Sequence, residues 1–450
     1  MSKYDNYDQF PDVWLSKTPA HWQAHKMKRL FAERSEKGYP NEPLLVASQN
    51  MGVVPKNVYG NRTVEAQKDL HLLKLVHIGD FVISLRSFQG GLEYAYYQGI
   101  ISPAYTILVS HEPMSAPYFR YLAKSKPFIG LLTLCVTGIR EGQNIDYTKL
   151  KNHLLPVPPR DEQDQIVRFL DWKVSSINKL IRIRKRRIEE LEAIKRSSIG
   201  YLVMGQTQSI PQRGTAISWV KTIPAHWNEK SLIQVAEEQQ IKNAGMVEDN
   251  LLSLSYGKII NKDIKTTDGL LPSSFEGYQI VHDGNIILRL TDLQNDHKSL
   301  RTGLVTQTGI ITSAYTCLKV RCNILPGYLR LQLHVADLCK VFYGMGGGVR
   351  QSIGFKEIRK LVIAIPPVEE QQHILDSVHS IEKPINCAIQ NSRDIIAGLE
   401  DLKMRLISDT VTGKIDVRGI EIPEYEFVDE DNDNVDENLE QGADEPPEEE

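Results

Sequence analysis

Residues 157–163 read Val-Pro-Pro-Arg-Asp-Glu-Gln, and residues 365–371 read Ile-Pro-Pro-Val-Glu-Glu-Gln. Proline is tolerated in the first turn of a helix but not in its interior, so each double proline predicts a helix start. Apolar residues then recur at alternating steps of three and four. In the first stretch they are Leu170, Val174, Ile177, Ile181, Ile188 and Leu191, with Arg184 as one polar break; in the second they run Ile374, Val378, Ile381, Ile385, Ala388, Ser392, Ile395, Leu399, Leu402 and Leu406.

This heptad spacing predicts two long helices, each with a narrow apolar seam that another helix must cover. The simplest solution packs the two against each other as an antiparallel coiled coil, and we expect a globular domain at either end of that rod. Pro384 lies inside the second helix and is expected to kink or break it. The residues assigned to the subunit-interface helices are Leu170, Ile177, Ile181, Ile188, Ile381, Ile385, Ile395 and Leu399.

Other segments repeat at nearly the same offset. Pro19-Ala20-His21-Trp22 recurs as Pro224-Ala225-His226-Trp227, and Ala104-Tyr105-Thr106 recurs as Ala314-Tyr315-Thr316. Matches in the same order at a near-constant offset indicate a duplicated unit. Short apolar runs with Gly and Pro punctuation precede each long helix, so the fold class is α+β, with two similar globular domains and two helices. The predicted boundaries are residues 1–158 and 205–366 for the domains, 159–204 and 367–418 for the helices, and 419–450 for a disordered acidic tail.

Length and composition favour a soluble multidomain protein. The 450 residues are 41% apolar and 24% charged, and no apolar run reaches the ~18–20 residues that span a bilayer. The N-terminus has no signal-peptide pattern, and the five cysteines are sparse and lack C-x-x-C spacing. We therefore expect a reduced, cytoplasmic protein without a membrane partner or a metal site.

The net charge of −4 conceals a strong asymmetry. The last 30 residues hold 15 Asp or Glu and no Lys or Arg, so the rest of the chain carries 53 basic and 42 acidic residues. A basic body suits a polyanionic partner. The acidic segment has too little apolar surface to fold alone. It is interpreted as a solubilising extension, with a DNA mimic that competes for the basic body as the sharper hypothesis.

No pattern indicates catalysis. The run from Gly344 to Val349 has Val where a dinucleotide-binding loop needs its third Gly, and no G-x-x-x-x-G-K-[ST] phosphate loop is present. His21 and His226 hold equivalent places in the two copies and have no ligand-spaced companion, so they are interpreted as fold-defining contacts. We expect no catalytic residue in this chain.

Two pairs of loops suit DNA. One follows an apolar strand in each copy, and the other is rich in glycine, which lets a backbone approach a ligand closely. Arg, Gln and Asn can make bidentate contacts with guanine and adenine edges. The predicted DNA-binding residues are Arg86, Gln89, Arg140, Gln143 and Asn144 in the first copy, and Arg289, Gln294, Arg350 and Gln351 in the second.

Two divergent globular domains, each followed by a long helix, resemble in this order the specificity subunits of Type I restriction-modification systems. The resemblance covers residues 10–418 and includes the two Pro-Pro-x-x-Glu-Gln helix entries and the ending Val411-Thr412-Gly413-Lys414. It implies two target-recognition domains, each of which reads one half of a split double-stranded DNA site. It also implies that the helices bind adenine-methyltransferase modification subunits and, through them, ATP-driven restriction subunits.

The same resemblance implies no cofactor on this chain, with S-adenosylmethionine, ATP and Mg on the partner subunits. The acidic segment and Pro384 depart from the usual pattern. An alternative is a non-catalytic coiled-coil adaptor whose globular ends bind proteins rather than DNA. A nuclease or methyltransferase would need motifs that the sequence lacks.

Overall fold

The computed structural model describes residues 2–59, 69–138, 143–206, 210–263, 274–293, 300–321, 323–345 and 353–429. The chain divides into two compact units. The first unit comprises Met1–Lys185 and Arg393–Glu450, and the second comprises Arg186–Ser392. The predicted α+β class with a duplicated layout is confirmed, since each unit joins a strand-rich globular part to portions of two long helices.

The globular part of the first unit is built on a four-stranded antiparallel sheet in the order β4-β11-β8-β9. Its core includes Phe31, Phe81 and Phe119, which are almost fully buried. The elements are β1 (Tyr7–Gln9), β2 (Lys17–Pro19), β3 (Gln23–Lys26), α1 (Met27–Leu30), β4 (Phe31–Arg34), β5 (Leu45–Ser48), β6 (Gly52–Pro55), α2 (Lys56–Tyr59), β7 (Lys74–Val76), β8 (Phe81–Ile83), α3 (Ser87–Gly90), β9 (Glu93–Tyr94), β10 (Gly99–Ile101), β11 (Thr106–Ser110), α4 (Ala116–Leu122), α5 (Lys126–Leu134), β12 (Val136–Thr137), β13 (Asn144–Ile145), α6 (Tyr147–Leu150) and β14 (Leu154–Val157).

The globular part of the second unit repeats this plan, with a four-stranded sheet in the order β18-β26-β23-β24. The strands β8 and β23 are both fully buried apolar triplets at the centre of their sheets. The elements are β15 (Gln212–Gly214), β16 (Thr222–Pro224), β17 (Asn228–Ser231), α8 (Leu232–Val235), β18 (Ala236–Glu238), β19 (Ile241–Lys242), β20 (Leu252–Ser255), β21 (Lys258–Asn261), β22 (Gln279–Val281), β23 (Ile286–Leu288), β24 (Thr302–Leu304), β25 (Gly309–Ile311), β26 (Thr316–Val320), α9 (Pro326–Leu338), α10 (Phe355–Ile358) and β27 (Val362–Ile365).

Two long helices follow the double prolines, as predicted. They are α7 (Arg160–Val203) and α11 (Val368–Val411). In the first unit, the N-terminal half of α7 packs with the C-terminal half of α11, where Ile177 and Ile181 share one core with Leu406 and Ile407. In the second unit, the C-terminal half of α7 packs with the N-terminal half of α11. The two helices therefore run antiparallel within each unit.

The seam of these helices departs from the predicted heptad at three positions. Ile395 and Leu402 are 40% and 51% exposed, so their assignment to the buried stripe is wrong. Ile396 and Lys403 take those places on α11, and Lys185 rather than Arg184 is half-buried on α7. A straight α-helix has 3.6 residues per turn, so a strict 3.5-residue repeat drifts off the buried face along its length.

Of the kink or break expected at Pro384, the break is wrong, because the second helix continues through this residue. Pro384 lies on the exposed face of α11, as does Ser380, whose carbonyl would otherwise accept the missing N–H. Water can hydrogen-bond that carbonyl at an exposed position. The remaining hydrogen bonds and the packed seam then suffice to hold the helix together.

The chain after α11 also corrects the sequence prediction. A disordered tail was expected from residue 419, yet residues 419–429 follow a defined path on the first unit, where Ile420 and Ile422 pack against the core and Val428 is 7% exposed. These apolar side chains alternate with acidic ones. The overall acidic composition of the segment therefore led to a prediction of disorder from residue 419. Residues 430–450 lie outside the described part. In that described part, no helix has the length and apolar character needed to cross a membrane.

Candidate nucleic-acid interface

The turn after strand β8 brings two predicted DNA-binding residues together. Arg86 is the residue before α3 and Gln89 lies within this short helix, and both side chains are exposed. The buried Ser87 hydroxyl fixes the turn, because it accepts a hydrogen bond of 2.8 Å from the Ser84 backbone N–H. Strand β13, which carries the exposed Asn144, lies next to α3. Three predicted residues of the first copy therefore lie on one side of this unit.

A β-hairpin packs against the same turn. Gln49, at the tip of the β5–β6 hairpin, donates from Nε2 to the Arg86 carbonyl at 3.2 Å. Gly90 packs tightly on this hairpin, since an added Cβ would lie 3.0 Å from Cδ of Gln49, which would have to shift. The hairpin tip and the Arg86–Gly90 turn thus form one composite surface, which we call the first recognition surface.

Lys124 joins the two parts of this surface from within. Its ammonium donates to the carbonyls of Gln49 and Gly90, both at 3.0 Å, and to Oε2 of Glu93 at 2.7 Å. Glu93 is 1% exposed. Burial raises the pKa of Glu93 to about 7, because a buried carboxylate loses its hydration, while the neighbouring ammonium opposes that rise.

A buried arginine has the corresponding role in the second unit. Arg289 follows strand β23, as Arg86 follows β8, and its side chain is half-buried. The guanidinium of Arg301, which is 0% exposed, donates from Nη1 to the carbonyls of Arg289 at 3.1 Å and Thr291 at 2.8 Å. Its Nη2 donates to the Asp292 carbonyl at 3.3 Å, and its Nε to the Tyr343 hydroxyl at 3.1 Å. Arg301 therefore fixes the backbone of residues 289–292.

A hairpin accompanies this loop too. Strands β20 and β21 are joined through Tyr256 and Gly257, which have φ values of 47° and 75°, as a two-residue type I′ turn requires. An added Cβ at Gly257 would lie 3.2 Å from Cβ of Leu300, beside Arg301. The Tyr256 ring is 87% exposed at the tip. We call this hairpin tip with residues 289–292 the second recognition surface.

The remaining predicted DNA-binding residues divide into two groups. Gln143 precedes β13 and is exposed. Arg140, Gln294, Arg350 and Gln351 lie outside the described residues. The sequence analysis missed Gln49, Lys124, Tyr256 and Arg301. Gly52 and Gly257, which lie at the tips of the two hairpins, could have indicated them in the sequence. They occur at the offset of the other repeats, and both have positive φ.

A second pair of equivalent clusters explains the Pro-Ala-His-Trp and Pro-Pro-x-x-Glu-Gln repeats. Glu162 accepts hydrogen bonds from Trp22 Nε1 at 3.0 Å and from the Tyr4 hydroxyl at 2.5 Å, and its other oxygen lies 2.7 Å from His21 Nε2. Glu370 accepts from Trp227 Nε1 at 3.0 Å and lies 2.9 Å from His226 Nε2. The two histidines are therefore contacts that define the fold, as expected.

Each of these clusters also receives the end of a long helix. Gly413, with φ +75°, lies against Pro19 and Trp22, and Gly205, with φ +60°, lies against Pro224 and Trp227. A Cβ at Gly413 would lie 2.2 Å from Cδ of Pro19 and 3.2 Å from the Trp22 ring, and one at Gly205 would lie 2.6 Å from Pro224 and 2.7 Å from the Trp227 ring. The motif that includes Gly413 therefore closes the first unit, by packing the end of α11 on the N-terminal residues.

Nothing in the described part of the chain is arranged for metal chemistry, since no group of three or more His, Cys, Asp or Glu side chains could hold an ion there. The four cysteines in that part are free thiols. The site consists of two exposed surfaces that carry Arg, Gln, Asn and Tyr side chains. Their backbones are held by the half-buried Lys124 and the buried Arg301. Such surfaces suit recognition of a ligand by shape and hydrogen bonds.

Comparison with known proteins gives this arrangement a context. No family model matches the chain. The type I restriction enzyme MjaX specificity subunit of Methanocaldococcus jannaschii is 22% identical over 91% of this chain and 97% of its own length. The chain is a homologue of Type I specificity subunits.

Two solved structures are similar to this chain. A chain from a structure described as the basis of complex assembly and conformational transition of the type I R-M system matches with a TM-score of 0.60 at 14% identity, over 88% of this chain and 99% of that one. The HsdS subunit from Thermoanaerobacter tengcongensis matches over 88% of this chain and 98% of its own, with a TM-score of 0.43 at 14% identity. The first of these likenesses confirms the predicted fold class over most of the chain.

Proposed function

We propose that this chain is the non-catalytic DNA-recognition subunit of a Type I restriction-modification complex. The observation that carries the proposal is the pair of recognition surfaces in equivalent places of a duplicated fold. Each combines a hairpin tip with the turn after a central strand, and each has its backbone fixed by a cation, which is the half-buried Lys124 in the first unit and the buried Arg301 in the second. Rigid exposed loops with Arg and amide side chains can read base edges in a major groove.

The two surfaces would read different half-sites. The first presents Arg86, Gln89 and the Gln49 hairpin, whereas the second presents Arg289 and the tip Tyr256. Side chains with different donors and acceptors select different base patterns, so the full site should be bipartite and non-palindromic. The fixed loop backbones support this reading, because a donor on a mobile loop would discriminate poorly between bases.

The helices would bind the modification subunits, and through them the restriction subunits. In the first unit, the helix pair leaves Leu180, Ile183, Ile395 and Leu402 between 40% and 55% exposed. Exposed apolar side chains on a rigid element are typical of protein-protein interfaces. S-adenosylmethionine, ATP and Mg would then belong to the partner subunits, and the whole complex would act on cytoplasmic DNA.

A gel-shift assay with this chain and its modification subunit tests the proposal. DNA that carries the methylated motif of the host should be shifted at concentrations ~10³-fold below those needed for scrambled DNA, a typical ratio for specific binding. Equal shifts for both probes, or none, would favour the adaptor alternative.

The helix interface is tested separately. Leu402→Arg should weaken co-purification of the modification subunit, whereas Val13→Arg, which alters an 85% exposed side chain between β1 and β2, should leave it unchanged. Equal co-purification of both variants would remove Leu402 from the interface.

A further inference from the structure

Each unit contains the same lysine–asparagine pair between its portions of the two long helices. Lys403 Nζ donates to Asn178 Oδ1 at 3.4 Å in the first unit, and Lys195 Nζ donates to Asn386 Oδ1 at 2.9 Å in the second. Asn386 follows Asn178 by 208 residues, and Lys403 follows Lys195 by the same interval. Residues at this interval on α7 and α11 therefore occupy equivalent positions in the two units.

A peptide segment covers this position in the first unit. Asn178 Nδ2 donates to the Val428 carbonyl at 3.2 Å. The Ser175 hydroxyl donates to the Glu426 carbonyl at 2.9 Å and accepts from the Val428 N–H at 2.6 Å. The helix face of the first unit therefore binds the backbone of an extended, acidic segment, namely the one that follows α11.

The equivalent position in the second unit is uncovered in the described part of the chain. Asn386 is exposed there, and its Nδ2 has no hydrogen-bond partner among the described residues. Lys383, which is equivalent to Ser175, is exposed as well. The cause lies in the order of the chain, because α7 is followed directly by β15 of the second globular part.

An arginine next to the covered position has a carboxylate partner in the first unit. Arg120 Nη2 donates to Asp171 Oδ1 at 2.6 Å, and the Tyr121 hydroxyl donates to the same oxygen at 2.6 Å. Arg120 and Asp171 line one cleft with Asn178 and Val428. The first unit thus supplies both the peptide that covers its helix face and the carboxylate that pairs with its arginine.

The second unit keeps this arginine. Tyr118 and Tyr328 are equivalent, since their hydroxyls donate to the carbonyls of the last residues of α11 and α7, at 2.9 and 3.2 Å. Arg330 follows Tyr328 by two positions, as Arg120 follows Tyr118. The arginine therefore stands at the same place in both units.

The carboxylate partner is lost from the second unit. His379 takes the position equivalent to Asp171. Arg330 is half-buried, its Nε is buried without a hydrogen-bond partner, and it forms no ion pair with any described residue. Burial lowers the pKa of Arg330, and Glu382 opposes that shift from a distance while it pairs with Lys195 at 3.4 Å.

His334 adds a second buried polar atom to this place. It lies four residues after Arg330 on α9, is 8% exposed, and has no hydrogen-bond partner at Nδ1 among the described residues. Residues four apart lie on the same face of a helix. Buried polar groups without partners are costly, so this face of the second unit lacks groups that the first unit provides for itself.

We infer that the second unit binds an extended, acidic segment of the modification subunit at Arg330 and Asn386, an inference that rests on the proposed function. A carboxylate of that segment pairs with Arg330 as Asp171 pairs with Arg120. One of its backbone carbonyls accepts from Asn386 Nδ2. The occupant is a peptide rather than DNA because the equivalent surface of the first unit holds peptide backbone. It belongs to the modification subunit because Asn386 lies on α11, one of the helices proposed to bind that subunit.

Two variants of the full chain test this contact by isothermal titration with the modification subunit. Arg330→Met removes a charge-assisted hydrogen bond and should weaken binding about 10- to 100-fold. Asn386→Ala removes a neutral hydrogen bond and should weaken binding about 2- to 10-fold. Wild-type affinity in Arg330→Met would overturn the inference.

Melting temperatures of the full chain alone separate binding from folding. Arg330 has no partner among the described residues, so Arg330→Met should leave the melting temperature unchanged or raise it. Arg120→Met is the matched control, and it should lower the melting temperature because it leaves the half-buried Asp171 unpaired. A lower melting temperature for Arg330→Met would show that this arginine is paired within the chain, and the inference would be wrong.

A crosslinking experiment identifies the occupant. Photo-reactive benzoylphenylalanine in place of Lys383 should crosslink to a peptide of the modification subunit that contains Asp or Glu, as mapped by mass spectrometry in the presence of duplex DNA. Crosslinks to DNA, to a second copy of this chain or to a peptide without an acidic residue would contradict the inference, as would their absence.

The inference and the proposed function fail in different ways. If Leu402→Arg weakens binding of the modification subunit and Arg330→Met does not, this site is wrong and binding by the helices stands. If the wild-type chain does not bind the modification subunit at all, both are wrong.

Discussion

Glu162 and Glu370 each bind the His and Trp side chains of their repeat, but Glu162 also accepts from Tyr4, and their side-chain exposures are 5% and 29%. Glu162→Ala should cost about 1.5–3 kcal/mol of unfolding free energy, since it leaves buried donors of Trp22 and Tyr4 unpaired. Glu370→Ala should cost less, because water can reach its donors. Urea unfolding followed by tryptophan fluorescence measures both, with the exposed Glu189→Ala as the control. Equal costs for the two variants would contradict this account.

Glu93 gives the stability a dependence on pH. Its pKa rises from 4.5 in the unfolded chain to about 7 in the fold, so between these pH values the folded state binds more protons. Stability should therefore fall as pH rises through this window, because the unfolded state loses its proton first. Glu93→Gln removes this titrating carboxyl and with it the pH dependence that it gives to the stability. The difference in melting temperature between wild type and variant should change steadily from pH 4.5 to 7, and a constant difference would be inconsistent with the burial of a titrating carboxyl.

Arg86 and Gln89 make a graded prediction for DNA. Replacement of either by Ala should weaken specific binding by ~1–3 kcal/mol if the residue reads a base. If it contacts a phosphate instead, all sequences should bind more weakly and the salt slope should fall by about one. Titrations at several salt concentrations separate these cases, with Arg29→Ala as an exposed control. The same expectation applies to Arg140 and Arg350, and an unchanged affinity and slope would assign such a residue to structure alone.

The sequence indicated the exposed residues of the recognition surfaces, but not the residues that hold the backbone of those surfaces in place. Arg86 and Gln89 stood out because they follow an apolar strand at the place where Arg289 follows one in the second copy. Lys124 and Arg301 could not be found in this way. In a sequence, a buried or half-buried cation looks like any surface charge, and its function depends on carbonyls that only the folded chain brings to it.

At the scale of elements, the long helices were predictable and their exact faces were not. The double prolines gave both starts, at Arg160 and Val368. Ile395 and Leu402 were wrongly assigned to the buried face. A heptad count assumes 3.5 residues per turn, whereas a straight α-helix has 3.6. The bound path of residues 419–429 was also missed, since it depends on Ser175 and Asn178 of a distant helix.

Pro384 tests how α11 is stabilised. The helix continues through this residue although it lacks an N–H, so tertiary packing offsets the local cost. Pro384→Ala restores a hydrogen bond and should raise the unfolding free energy, by up to about 3 kcal/mol. Differential scanning calorimetry measures the shift in melting temperature, with the exposed Lys383→Ala as the neighbouring control. A lower melting temperature for Pro384→Ala would mean that the proline is needed for the path of the helix.

At the scale of the whole molecule, duplication was the most informative property of the sequence. Three separate segments at a near-constant offset predicted two copies of one plan, and the two sheets with equivalent strand order confirm it. The duplication is also why the proposed site has two halves. Divergence between the copies at the loop tips, such as Ser87-Phe88 against Asp292-Leu293, is what predicts that the halves differ.

Methylome sequencing of cells that express this chain with its modification subunit tests the central claim most directly. We predict methylated adenines in a bipartite, non-palindromic motif, with two short half-sites separated by a fixed number of unread bases. Arg86→Ala should relax one half of that motif and Arg289→Ala the other, while each leaves the remaining half unchanged. A single continuous palindrome, or a methylation pattern that is the same without the chain, would contradict the reading of DNA by two separate surfaces.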